Sequence, residues 1–167
     1  MIPQPNSLII VSLLEKHAEQ SEFARATWPP HITIVAWFSL DDVDALTQSL
    51  EAFAQQQTPF STSLGRQDFF GPNKDIPVNI FPDQNQLEML HADLFHRVAH
   101  LGAQFQEQEF MGENYRAHVT RMKARLHQLE EGEVVTIDNV CLARLTNPSS
   151  CKILQTFIFG ALDETTT

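Results

Sequence analysis

The stretches WPPHITIVAW (Trp28 to Trp37) and YRAHVTRMK (Tyr115 to Lys123) each set the tripeptide His-x-Thr inside an extended, β-forming run. Side chains alternate along a strand, so His31 and Thr33 share one face while Ile32 and Ile34 share the other. His118 and Thr120 stand against Val119 in the same way. Pro29-Pro30 forces an extended entry into the first run. With seven histidines and twelve threonines in the chain, about 0.5 such triplets are expected at random, and two or more in about a tenth of such compositions. One copy means nothing. Two, both in strand context and in different halves of the chain, are more specific.

Outward from these runs, Ser7 to Leu14 reads as a buried strand and Glu15 to Ala26 as a helix, from its composition, stopping before the prolines. Ser39 or Asp41 can cap a helix through about Gln57, with Val43, Leu46, Leu50 and Phe53 on its apolar face. Phe60 to Phe70 and Pro77 to Phe81 read as strands around the turn Gly71-Pro72-Asn73-Lys74-Asp75. A second helix is predicted from about Asp83 to Leu101, with Leu87, Leu90, Leu94, Val98 and Leu101 inward and His96 and His100 on the opposite side. Ala103 to Phe110 and Arg116 to Lys123 are further strand candidates. Val134 to Leu145 and Lys152 to Phe159 form a terminal hairpin around Thr146-Asn147-Pro148-Ser149, followed by a frayed tail from Asp163. No linker or low-complexity segment interrupts residues 1–167, so one domain is expected.

Composition narrows the function. The chain is 43% hydrophobic and 19% charged, the balance of a globular protein. Its formal charge of −10, from 21 acidic and 11 basic residues, opposes the phosphate-neutralising surface that long duplex nucleic acid requires. A small nucleotide or an RNA end needs only a local cluster of cations. No apolar run approaches the roughly 18 residues of a membrane span, and no signal-peptide pattern opens the chain, so a soluble, cytoplasmic protein without membrane association is expected. The hairpin turn sets Cys151 opposite Leu145 rather than Cys141, which makes both cysteines reduced structural thiols.

Two facing imidazoles can accept and donate a proton in one step, which suits in-line attack at phosphorus. The neutral ring takes a proton from the attacking water, the protonated ring supplies one to the leaving oxygen, and the two hydroxyls bond the non-bridging oxygens. Neither a metal nor a cofactor is called for.

With HITI at His31 to Ile34 and HVTR at His118 to Arg121, 87 positions apart, the chain resembles the two-histidine phosphoesterase superfamily. That family includes 2′,3′-cyclic phosphodiesterases and the proteins named 2′-5′ RNA ligases. The surrounding order of elements, including the strand-then-helix unit IPVNIFPDQNQLEMLHADLFHRV, extends the resemblance over nearly the whole chain. It implies an α+β fold of two lobes, with pseudo-twofold related antiparallel sheets flanked by helices around a central cleft. It also implies a catalytic tetrad of His31, Thr33, His118 and Thr120, with His118 as the base toward water and His31 as the acid toward the leaving ribose oxygen. The expected partner is a nucleotide or RNA end carrying a cyclic phosphate, bound by a monomer. Lys123 stands where bacterial relatives of the RNA-ligase branch often have Arg, and Arg121 follows Thr120 directly.

Strand parity puts Arg116, rather than Arg121 or Lys123, on the tetrad's face, and it ranks first of these three candidate substrate cations. Tyr115 is either a base-stacking or a core side chain. His96 and His100 have helical metal-pair spacing but no third ligand in view, and read as solvated. His91 reads as a core-edge residue, and Phe69-Phe70-Gly71 as core strand followed by a turn, a more economical account than a base-stacking wall. Two rivals remain: a nucleotide-binding module without catalysis, and a structural protein whose triplets coincide by chance.

Overall fold

A computed structural model describes residues 3–122 and 128–160 of the chain. Its strands are β1 (Leu8–Leu13), β2 (Glu22–Ala24), β3 (His31–Ser39), β4 (Phe60–Ser63), β5 (Gln67–Phe70), β6 (Ile76–Ile80), β7 (Gln104–Phe105), β8 (His118–Thr120), β9 (Val134–Ile137), β10 (Asn139–Asn147) and β11 (Ser150–Ile158). Two α-helices, α1 (Val43–Gln55) and α2 (Asn85–His100), follow β3 and β6. Among the described residues the strands form one large sheet in the order β2-β11-β10-β1-β3-β8-β6-β5, with β7 beside the far end of β3, and a small β4-β9 pair. Every pairing is antiparallel.

The α+β architecture and its antiparallel sheets agree with the expectation from sequence. The two halves are joined edge to edge: β3 of one half meets β8 of the other through a single register pair, Ile32 with Val119.

Alternation along β1 and β3 divides the core. Leu8, Ile10, Ile32, Ile34 and Phe38 face Leu46, Leu50 and Phe53 of α1 and Leu87, Leu90, Leu94 and Val98 of α2. A second apolar cluster gathers Val11, Leu13, Trp28, Trp37, Cys141 and Cys151. Fully burying one such aliphatic side chain contributes about 1.5–3 kcal/mol, so the two helical stripes alone are substantial anchors. Asp42, rather than Ser39 or Asp41, caps α1, its carboxylate accepting from the Ala45 N–H at 2.9 Å.

Several expectations are corrected. Glu15 to Ala26 is not helical: its end forms β2 and a 3₁₀ turn, Arg25–Thr27, with Phe23 opposite Cys151 on β11. The segment has almost no apolar stripe to bury as a helix, and the edge of β11 offers its backbone partners. Phe60 to Phe70 is two strands, because the chain changes sheets at Gly65. A Cβ there would lie 2.7 Å from the Ile80 carbonyl oxygen and 2.8 Å from Pro82 Cδ, so this crossing needs a residue without one. Ala103 to Phe110 keeps only β7, followed by a 3₁₀ turn at Gln108–Phe110.

The hairpin turn and the pairing of Leu145 with Cys151 are as expected, but Val134 to Leu145 is two strands rather than one: β9 pairs with β4 in the small sheet, and the hairpin strand β10 begins at Asn139. Both thiols are free and buried. Leu101 ends its helix half-buried, whereas the other four residues of the stripe are buried. Among the described residues no helix is long and apolar enough to cross a membrane. Lys123, His127 and the tail from Asp163 lie outside the described residues.

Candidate active site

The seam between β3 and β8 carries both tripeptides. Directly opposed residues of an antiparallel pair project to the same face. Ile32 and Val119 are opposed and buried on the helical side, so His31, Thr33, His118 and Thr120 all project from the other face, and all four are half-buried. The antiparallel sense sets His31 alongside Thr120 and Thr33 alongside His118, with the two histidines on a diagonal. Diagonal neighbours in such a pair have backbones about 7–8 Å apart, so both rings rise from the same patch of the sheet.

Both imidazoles are held by the same local device. His31 Nδ1 lies 2.7 Å from the Pro29 carbonyl oxygen, and His118 Nδ1 lies 2.8 Å from that of Arg116. Each carbonyl belongs to the residue two before the histidine and accepts the Nδ1–H. The neutral tautomer of each ring therefore carries its lone pair on Nε2. Burial pushes the His118 pKa below the ordinary histidine value and the nearby Arg116 charge adds to this, against the opposing effect of the backbone bond. His118 is thus biased toward the proton-accepting form at neutral pH.

Each ring also packs on an aromatic. Trp28 meets His31 at 4.4 Å between centroids, and Phe70 meets His118 edge-on at 4.8 Å. Neither histidine contact is legible in the sequence, where Phe70 fits a core strand or, less economically, a base-stacking wall. The pairings β5-β6 and β6-β8 bring it to the site across about fifty residues, and only the expected strand-turn-strand pattern of β5 and β6 hinted at them.

The sequence candidates separate cleanly. Arg116 is exposed at the rim of this face, its guanidinium 4.6 Å over the Phe70 ring and 3.4 Å from Asp68 Oδ2. Arg121 points away: it donates to Asn79 Oδ1 at 2.8 Å, to the Leu129 carbonyl at 3.0 Å and to Glu130 at 3.2 Å. With those bonds it ties β6 to the Leu129-Glu130 segment, on the side of Val119 to which strand parity assigns it. Lys123 lies outside the described residues. Tyr115 takes the core alternative: it is buried, donates its hydroxyl to the Thr33 carbonyl at 2.9 Å and stacks on His91 at 4.1 Å.

His91 is fully buried rather than at the core edge. Its Nδ1–H donates to the Ile34 carbonyl at 2.6 Å and its Nε2 accepts from the Gly112 N–H at 2.9 Å. His96 and His100 are exposed on the outer side of α2.

Comparison with known proteins covers both tripeptides. The family model described as the 2′-5′ RNA ligase superfamily matches residues 11–146. No curated protein sequence matches. Among solved structures, Escherichia coli LigT in its apo form is similar at a TM-score of 0.63 and 13% identity, over 93% of this chain and 98% of that one. The complex of E. coli LigT with 3′-AMP is similar at 0.62 and 13%, over 93% and 99%. A Thermus thermophilus protein is similar at 0.61 and 15%, over 92% and 98%. At these identities the likeness is one of fold.

Proposed function

The chain belongs to the 2′-5′ RNA ligase superfamily, and from that premise we propose that it is a metal-independent phosphoesterase opening 2′,3′-cyclic phosphates of nucleotides or RNA ends. The observation that carries this reading is the opposition of Ile32 and Val119, which turns two imidazoles and two hydroxyls to one face. Further support comes from the structural likeness to E. coli LigT, which has been crystallised with 3′-AMP, ATP and NADP+.

In the proposed reaction, His118 Nε2 takes a proton from water as the water oxygen bonds to phosphorus. The bond from phosphorus to one ribose oxygen breaks, and His31, protonated on Nε2, gives its proton to that oxygen. A phosphomonoester and a free ribose hydroxyl result, and solvent returns the protons to their starting positions. Thr33 and Thr120 donate to the non-bridging oxygens, and Arg116 supplies positive charge at the rim. Preorganised donors of this kind act most strongly on charge that grows in the transition state. Both half-sites come from one chain, which suits a monomeric, single-domain enzyme. The two free cysteines fit a reducing, cytoplasmic setting.

The test is hydrolysis of a panel of 2′,3′-cyclic nucleotides in EDTA by wild type, His31→Ala and His118→Ala, with 2′- and 3′-phosphate products resolved. Each alanine variant is expected to lose about 10²–10⁴-fold in rate while remaining folded. Near-full turnover by a folded His118→Ala protein refutes the mechanism. Saturable nucleotide binding by wild type without product supports a binding module instead.

A further inference from the structure

The two imidazoles share the Nδ1 bond to the carbonyl two residues before and differ in the aromatic ring that packs on them. Trp28, against His31, is 5% exposed and belongs to the second apolar cluster. Phe70, against His118, is half-buried at the end of β5, the outermost strand of its half, where its neighbour Phe69 is 50% exposed. Register fixes the direction of the Phe70 ring. Asp68 lies opposite Val78 and Phe70 opposite Ile76, while Val78 lies opposite Thr120 and Ile80 opposite His118. Asp68 and Phe70 therefore share the face of Thr120 and His118, two strands away. Arg116 completes the group, stacked over Phe70 and paired with Asp68 while its carbonyl holds His118 Nδ1.

We propose that Phe70 is a positioning residue of the His118 half-site: its ring packs in a T-shaped contact against the imidazole and seats the Arg116 guanidinium on its face, so one ring aligns the proton acceptor and the phosphate-side cation together. The inference rests on the phosphoesterase reading and deepens it by distinguishing the two imidazoles. A ring packed against His118 keeps water from its flank and disfavours the imidazolium. The cation seated on that ring disfavours it further, and in a water-poor setting a guanidinium over an aromatic face is itself stabilised. Among the described residues, the charged or titratable groups on the His118 side are Arg116 from the preceding segment, Asp68 from β5 with Arg66 also paired to its Oδ2 at 3.8 Å, and His31 from β3; β6 presents the uncharged Val78 and Ile80. Asp68 engages Arg116, so it keeps the cation on its seat and offsets part of its field.

The experiment compares wild type with Phe70→Leu, which keeps apolar bulk and removes the ring, and Phe70→Tyr, which keeps the ring. The His118 titration is followed by NMR, its resonance identified by its absence in His118→Asn, and kcat and KM for a 2′,3′-cyclic nucleotide are measured from pH 5 to 9. In Phe70→Leu the His118 titration and the acid limb of kcat/KM both move to higher pH, KM rises, and kcat/KM falls about tenfold at pH 6 with a smaller loss at pH 8, one pH unit being one decade. Phe70→Tyr restores wild-type values, and Arg116→Gln reproduces the KM rise with the ring in place. An unmoved His118 titration in a folded Phe70→Leu protein overturns the inference. The NMR readout does not need turnover. A titration that moves in a protein without activity therefore upholds the role of Phe70 and sinks the phosphoesterase reading alone.

Discussion

Replacing His91 by phenylalanine keeps a flat ring beneath Tyr115 and removes both of its hydrogen bonds. The Ile34 carbonyl loses the donor at 2.6 Å, and the Gly112 N–H loses the acceptor at 2.9 Å. Ile34 sits in the wholly buried core, so its carbonyl then bears a desolvation penalty of about 1–3 kcal/mol, and the part-buried Gly112 bond adds a net loss of about 0.5–1.5 kcal/mol. The expected destabilisation is about 1.5–4.5 kcal/mol, read as a shift in the urea midpoint at pH 7.5 with the slope unchanged. The same geometry fixes a pH effect. Burial, the largest influence, holds the His91 pKa below the ordinary 6.5 against the backbone bond to Ile34, so the unfolded chain binds more protons than the folded one as pH falls through about 6.5. Stability present above that pH is therefore lost on acidification, before the carboxylates titrate. His118 is shifted in the same direction and contributes likewise. Urea titrations at pH 7.5 and 5.5 should show a smaller loss in His91→Phe than in wild type. A variant within about 0.5 kcal/mol of wild type at pH 7.5, or one with an undiminished pH slope, refutes the assignment of His91 as a neutral, doubly bonded strut.

Gly65→Ala should cost about 2–3 kcal/mol by urea denaturation, because the new Cβ meets backbone and a proline ring and strains the bond from the Gly65 N–H to the Ile80 carbonyl; an unchanged midpoint rules out the close approach. Arg121→Ala should lower stability by about 1–3 kcal/mol through the abandoned, buried Asn79 while leaving KM near wild type, whereas Arg116→Ala should raise KM at nearly unchanged stability. The reverse pattern exchanges their roles. The Cys141 and Cys151 thiols, pushed up by burial to about 12 and about 11, should resist iodoacetamide at pH 8 in the native protein and react fully in denaturant, by mass spectrometry. Rapid native labelling contradicts their burial.

The features legible in the sequence are those written locally. Alternation around Ile32 and Val119 foretold the faces of the tetrad, the spacing of Leu87, Leu90, Leu94 and Val98 foretold the buried side of α2, and parity alone set Arg116 apart from Arg121. What was illegible depends on partners far along the chain. Glu15 to Ala26 has helix-forming composition, yet nothing local shows that β11 has an edge to complete. Phe70 looks like any core strand aromatic until β6 brings it beside His118. Tyr115 is decided by His91, whose own place depends on the packing of α2 under β3. Gly65 gives no sign in sequence that the chain crosses there between two sheets.

The single pair Ile32–Val119 has a mechanical meaning as well as a geometric one. Each half of the large sheet is latched internally by ladders of several rungs, whereas β3 and β8 share one rung at the tripeptides; away from it the halves are also tied by β7 on the far end of β3, by the Tyr115 hydroxyl on the Thr33 carbonyl and by His91 on the Ile34 carbonyl. The seam is therefore thin only where the tripeptides lie and is braced on either side, so the opening that a phosphate would need between the two imidazoles is left by the sheet itself rather than cut into it. A bound phosphate would stand in for the rungs that the seam lacks.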